Sequence, residues 1–238
     1  MKCIKCGSEN PEAAKYCMEC GSQLVDAKEE ETIYNLIILD ESGSMISMKF
    51  QAISGFNETV QTIGEAKIKH PEQRHIVSLV SFNSSGIKTL YDRVEANSVK
   101  ELTDEMYHPK CNTPLYDAIG QSLTTLRQYV KPEDKALVSI ITDGYENASR
   151  EYNGAAIKKL IDELKSLGWV FTYIGANQDV EAVAASISIT NVLKFESTTK
   201  GSTEMYKKEK KARSLFYDKI ADKVSSLQDK FFDEDDKT

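Results

Sequence analysis

Ile33-Tyr34-Asn35-Leu36-Ile37-Ile38-Leu39 runs directly into Asp40-Glu41-Ser42-Gly43-Ser44. Six of the seven residues in the first stretch are apolar or aromatic, the pattern of a strand buried on both faces of a parallel sheet. Open α/β sheets bind ligands beyond the carboxyl ends of their strands. The sequence therefore places one carboxylate and two hydroxyls, Asp40, Ser42 and Ser44, on alternate positions at such an edge. Gly43 gives the backbone freedom to turn so that both hydroxyls converge. Hard oxygens of this kind suit Mg2+ or Mn2+ rather than zinc or copper.

Two further segments extend the pattern. The strand-like run Ala136-Leu137-Val138-Ser139-Ile140-Ile141-Thr142 ends in Asp143-Gly144, a second carboxylate at a strand's carboxyl end. Between the two lies Cys111-Asn112-Thr113-Pro114-Leu115-Tyr116-Asp117, with Pro114 placed to start a helix and Thr113 just before it. Capping hydroxyls at ordinary strand–helix junctions do not account for all three together. D-x-S-x-S, then T-P-L-x-D, then a strand ending T-D-G resembles the von Willebrand factor type A (VWA) domain with its metal-ion-dependent adhesion site. The resemblance covers residues 32–196. It implies that Ser42, Ser44 and Thr113 touch Mg2+ (or Mn2+), that Asp40 and Asp143 act directly or through water, and that one coordination position stays open for an Asp or Glu of a protein partner. Gly55-Phe56-Asn57-Glu58, Thr142-Asp143-Gly144-Tyr145-Glu146-Asn147-Ala148-Ser149 and Gly175-Ala176-Asn177-Gln178-Asp179 look like a prokaryotic and phage subgroup of these domains.

The remaining elements fit one architecture. Ile53, Phe56, Val60 and Ile63 recur at helical spacing, and His75–Phe82 reads as a strand closed by the turn signal Asn83-Ser84-Ser85-Gly86. Ile87–Tyr91 reads as a short antiparallel edge. Helices are expected over Pro114–Val130 and Ala155–Leu167, the latter stopped by Gly168. Trp169–Ile174 and Val192–Phe195 supply the last strands. Strands alternating with helices predict an α/β fold, a doubly wound, mostly parallel, Rossmann-like sheet.

Cys3-x-x-Cys6-Gly7 and Cys17-x-x-Cys20-Gly21 form matched knuckles separated by ten residues. Each Gly follows the second Cys, where a turn needs positive φ and backbone N–H groups face the sulfur. Four thiolates at this spacing suit tetrahedral Zn2+, and the segment resembles a minimal zinc ribbon over residues 1–23. Two disulfides are the alternative; with no signal peptide ahead of Cys3, a reducing cytoplasm is expected instead. So short a segment buries little core, so metal supplies most of its folding energy. Lys2, Lys5 and Lys15 are balanced by Glu9, Glu12 and Glu19, giving no drive toward phosphate; the ribbon either docks a protein or simply stabilises. Residues 24–31 read as a charged linker.

The 238 residues carry a formal charge of −7 and 40% hydrophobic content, a balance that argues against bulk nucleic-acid or anionic-membrane binding. No run approaches a membrane span. Residues 197–238 read as a helical tail: after Gly201, Ala212, Phe216, Ile220, Val224, Leu227 and Phe231 form one stripe of a single long helix. That stripe either packs back on the domain or mediates self-association. Lys207–Arg213 reads as a solvated basic face, and Asp233–Asp236 as an acidic end whose carboxylates could enter a metal site. His70, His75 and His108 are too scattered for a catalytic or zinc role, and Cys111 reads as a small loop residue. The leading expectation is a non-enzymatic, metal-dependent protein-interaction module. An RNA-associated protein and a Mg2+-dependent phosphoryl-transfer enzyme are the alternatives; against the latter, Ser42 stands where a D-x-D phosphatase loop has its second Asp, and there is no P-loop.

Overall fold

The apolar run becomes β1 (Glu31–Asp40), and alternation along it feeds two cores. Ile33, Ile37 and Leu39 enter one, Leu36 and Ile38 the other. The computed structural model describes residues 2–3, 5–11, 14–22, 30–176, 179–196, 198–224, 227 and 231–232. The chain divides into two compact units, the second starting at Glu31.

In the second unit, β2 (Gln73–Asn83) and β4 (Lys135–Thr142) flank β1 and run parallel to it. β5 (Val170–Gly175) and β6 (Asn191–Lys194) continue the parallel sheet, while β3 (Gly86–Glu95) closes the other edge antiparallel to β2. The order β3-β2-β1-β4-β5-β6 makes the gap between β1 and β4 the place where crossovers diverge, the usual ligand crevice of such sheets. The antiparallel edge is longer than the expected Ile87–Tyr91.

α1 (Lys49–Lys69) and α5 (Thr199–Ala221) cover one face. α2 (Leu115–Leu126), α3 (Gly154–Ser166) and α4 (Val180–Ser186) cover the other. Asn153, Asp179 and Thr198 cap α3, α4 and α5 through their side chains. α2 stops short of the expected Val130, and Pro114 is its cap residue rather than its first helical one. No helix among the described residues is long and apolar enough to cross a membrane.

The carboxyl-terminal region departs most from expectation. α5 ends at Ala221 rather than near Phe231. Lys223 takes φ 52°, and Val224 N donates back to Lys219 O at 3.0 Å, a left-handed stop that reverses the chain. Phe231 then returns to the core, 5.7 Å from the Phe216 ring, with its N–H on Asn191 Oδ1 at 3.0 Å. Ala212, Phe216 and Ile220 are buried on the domain itself, whereas Val224 is exposed. Apart from Val224, the described residues of the stripe thus pack back on the domain. The basic stretch is not wholly solvated either: Glu209 and Arg213 are both buried, joined at 2.6 Å. Arg213 also reaches Ser139 Oγ at 2.8 Å and Asn35 Oδ1 at 3.2 Å, tying α5 to polar residues of β1 and β4. The acidic end Asp233–Asp236, and linker residues 24–29, lie outside the described residues.

Candidate metal centres

In the amino-terminal unit, Gly7 and Gly21 take φ of 77° and 67°, the conformation that Gly permits at little cost. Each knuckle closes the same way. Gly7 N donates to Cys3 O and Gly21 N to Cys17 O, while Cys3 N and Cys17 N reach Ser8 O and Ser22 O. Asn10 joins the two knuckles, donating to Ser8 O and accepting from Met18 N. All four sulfurs lie within 4.8 Å of one another, with Cys3–Cys20 at 3.6 Å and Cys6–Cys17 at 3.5 Å. A tetrahedron with Zn–S bonds of ~2.3 Å has sulfur separations of ~3.8 Å, so the set fits zinc. None of these cysteines is in a disulfide. The Ser22 hydroxyl and the Cys6 amide pull the Cys3 thiol down to about 6, and the Cys20 amide lowers Cys17. Both favour the thiolate that binds metal. This is a zinc ribbon with a closed four-cysteine cluster.

In the second unit, all five oxygen-bearing residues singled out in the sequence come together at the carboxyl edge of β1 and β4. Ser42 N donates to Asp40 Oδ1 at 2.7 Å, Ser42 and Ser44 hydroxyls stand 3.1 Å apart, and Ser44 Oγ donates to Asp143 Oδ1 at 2.5 Å. Thr113 joins them across Gly144. A Cβ on that glycine would sit 3.1 Å from Thr113 Oγ1, 3.4 Å from Ser44 Oγ and 3.6 Å from Asp40 Oδ2. Gly144 therefore leaves open the space on which three oxygens converge. Asp40, Ser42, Thr113 and Asp143 are all buried. Burial pushes the Asp40 carboxyl up to about 6, against hydrogen bonds from Thr142 and Ser42, and raises Asp143 as well. Two desolvated carboxylates beside three hydroxyls form a hard-oxygen donor set suited to Mg2+ or Mn2+.

Carboxylates around the cluster, whose role was not evident from the sequence, fix this geometry. Pro114 provides no side-chain cap for α2, and the loop after β4 supplies one instead. Glu146 Oε2 accepts from Tyr116 N at 2.9 Å and Ser149 Oγ from Asp117 N at 3.0 Å. In return, Asp117 accepts backbone N–H groups from Arg150, Glu151 and Tyr152 at 2.7–2.9 Å. Asn147 bonds Thr113 twice, backbone N to O at 3.1 Å and Thr113 N to Oδ1 at 2.8 Å. Glu41, fully buried, holds His108 N at 2.5 Å and Ser81 Oγ at 2.9 Å. Tyr107 hydroxyl donates to Asp40 O. The D-x-S-x-S loop is thus clamped from both sides. A carboxylate four residues past Thr113 and acids after Asp143 were visible in the sequence, but their backbone partners were not.

Cys111 sits on the adjoining loop at φ 63°, exposed, its Sγ 3.2 Å from Ser85 Oγ and its carbonyl accepting from Gly43 N. His70 pairs with Asp218, and His108 caps its own turn. Neither enters the oxygen cluster.

A zinc-ribbon domain family matches residues 2–24, and the von Willebrand factor type A domain family matches residues 36–210. No curated protein matches the chain. Among solved structures, proximal thread matrix protein 1 from the mussel byssus is similar at 15% identity and a TM-score of 0.50, over 81% of this chain and 47% of that one. A mutant of the PilB minor pilin from Streptococcus sanguinis is similar at 12% identity and a TM-score of 0.53, over 82% of this chain and 64% of that one. The SpRpn10 VWA domain is similar at 12% identity and a TM-score of 0.48, over 72% of this chain and 92% of that one. The chain spans about half the length of the mussel protein. With a family match across well over half its length, the chain belongs to the von Willebrand factor type A domain family.

Proposed function

We propose that this protein is a metal-dependent interaction module whose oxygen cluster captures a carboxylate of a protein partner. The observation that carries the reading is the convergence of Asp40, Ser42, Ser44, Thr113 and Asp143 around the space left by Gly144. Ser42, Ser44 and Thr113 would give Mg2+ neutral oxygens, and Asp40 and Asp143 its two protein charges. A divalent ion so held would keep residual positive charge and attract an incoming Asp or Glu. Buried, desolvated carboxylates favour this exchange, because a cation offsets the cost of keeping them charged.

The surroundings suit a protein partner. Ile46, Phe50 and Tyr145, close in sequence to Ser44 and Asp143, are 65%, 76% and 53% exposed. Exposed apolar side chains so near the cluster in sequence offer surface that a partner would cover. The zinc ribbon adds a second, independently built unit that would dock or stabilise. Affinity capture from a native lysate in Mg2+ and in EDTA, with Asp40→Ala as control, tests the reading. A partner retained only by the wild type in Mg2+ supports it. Equal retention in EDTA or by the variant contradicts it.

A further inference from the structure

The edge strand β3 does not pair smoothly with β2. The register shifts between Val77 and Leu79 and again between Leu79 and Val80. Such bulges re-aim side chains and cluster near functional sites. Here the irregularity leaves Arg93 at φ 52°, a left-handed conformation uncommon for a residue with a long side chain. Its N–H donates to Ser78 Oγ at 3.0 Å. Its guanidinium is fixed 3.7 Å above the Tyr129 ring, with one nitrogen 2.5 Å from Asp92.

Arg93 borders a cavity of about 120 Å3 between β2, β3 and α2. Leu36, Val80, Ile87 and Leu126 give it apolar walls, and Ser78, Ser122 and Thr125 add hydroxyls. Ser122 is only 8% exposed, and its hydroxyl has no hydrogen-bond partner. Buried hydroxyls are normally satisfied. The Ser78 hydroxyl accepts from Arg93 N and so keeps its own proton to donate.

We propose that this cavity binds a short aliphatic monocarboxylate, its oxygens on Arg93 and the Ser122 hydroxyl and its alkyl chain against the apolar walls. A cavity of ~150 Å3 holds the six carbons of benzene, so one of about 120 Å3 takes about five non-hydrogen atoms, its open mouth leaving room for a carboxylate oxygen. Guanidinium and hydroxyls are donors that match carboxylate oxygens. Asp92 neutralises part of the Arg93 charge, which favours a monoanion over phosphate or a dicarboxylate. The site shares no residue with the oxygen cluster, and it stands or falls independently of the metal reading.

The test is titration of the full chain with butyrate, followed by two-dimensional amide NMR. Saturable shifts in β3 and α2, with a Kd on the order of 1 mM, are expected. Arg93→Gln and Ser122→Val should each weaken binding at least about tenfold, and 1-butanol should bind at least about tenfold more weakly than butyrate. The same spectra establish that each variant is folded; Ser122→Val exchanges one hydroxyl for two methyl groups at a helix position. No saturable shift, butanol binding as tightly as butyrate, or unchanged affinity in the folded variants overturns the proposal.

Discussion

Ser44 and Asp143, separated by 99 residues of chain, are joined by a 2.5 Å hydrogen bond from the hydroxyl to Oδ1. That contact links the loop after β1 to the end of β4, the two strands between which the crossovers diverge. It makes one cluster of two motifs that are unremarkable apart.

The zinc ribbon is expected to depend on its metal. Purified protein should contain one zinc per chain, and Cys17→Ser should lose it and unfold residues 1–22. Because the remainder is a separate compact unit with its own core, its melting should stay nearly unchanged. Elemental analysis and calorimetry read both outcomes. An absence of zinc, or two native disulfides by mass spectrometry, would contradict the assignment.

Asp117 should matter to stability as well as to the site. Its carboxylate accepts three backbone N–H groups, and Asp117→Ala leaves them without their partner. A loss of about 2–4 kcal/mol in urea unfolding is expected, with weaker Mg2+ binding because the loop that carries Asn147, the partner of Thr113, loses its anchor. A variant as stable as the wild type would remove Asp117 from the clamp.

The Arg213–Glu209 pair is a buried charge pair, so breaking it from one side should be costly. Arg213→Met leaves Glu209, 2% exposed, without its cation. A cost of about 3–5 kcal/mol is expected. The double variant with Glu209→Gln should lose less than the two single losses combined. Additivity in that cycle would mean the two residues do not act as a pair.

His75 is expected to give the domain an acid sensitivity of its own. Its ring is buried against Tyr217 at 4.7 Å, with Nε2 3.2 Å from Gln73 Oε1 and Nδ1 without a partner. Burial first, then the charges of Lys67, Arg213 and His70, hold its pKa down to about 3. Between about pH 6.5 and 3 the unfolded chain binds a proton that the folded chain refuses. Stability therefore falls as pH drops through that window, by at most about 1.4 kcal/mol per pH unit from this residue. His75→Gln should flatten the slope of urea stability between pH 6.5 and 5; an unchanged slope would exclude His75 as its source.

Much of the architecture was legible because its signals are local. The run Ile33–Leu39 carries its burial in its composition, and the paired Cys knuckles carry their turns in Gly7 and Gly21. The five oxygen-bearing residues were legible for a different reason: each lies at the end of β1 or β4, in the turn that follows, or just ahead of α2. What stayed hidden depends on distant partners. Arg213 looked like one more cation in Lys207–Arg213, and its burial is made tolerable by Glu209, Asn35, Ser139 and Tyr217 around it. The apolar stripe suggested a helix to Phe231, because the periodicity continues past Ala221, where α5 ends. Glu146 and Ser149 could not be read as the cap of α2, since their partners are backbone amides of another element.

The central claim rests on metal binding by the five-oxygen cluster, and isothermal titration of Mg2+ into wild type, Asp40→Asn and Thr113→Ala measures it directly. The wild type should bind one Mg2+ in the oxygen cluster, and each variant should lose at least about tenfold in affinity while keeping wild-type far-ultraviolet circular dichroism. Equal Mg2+ binding by all three proteins, or none by the wild type, would contradict the account.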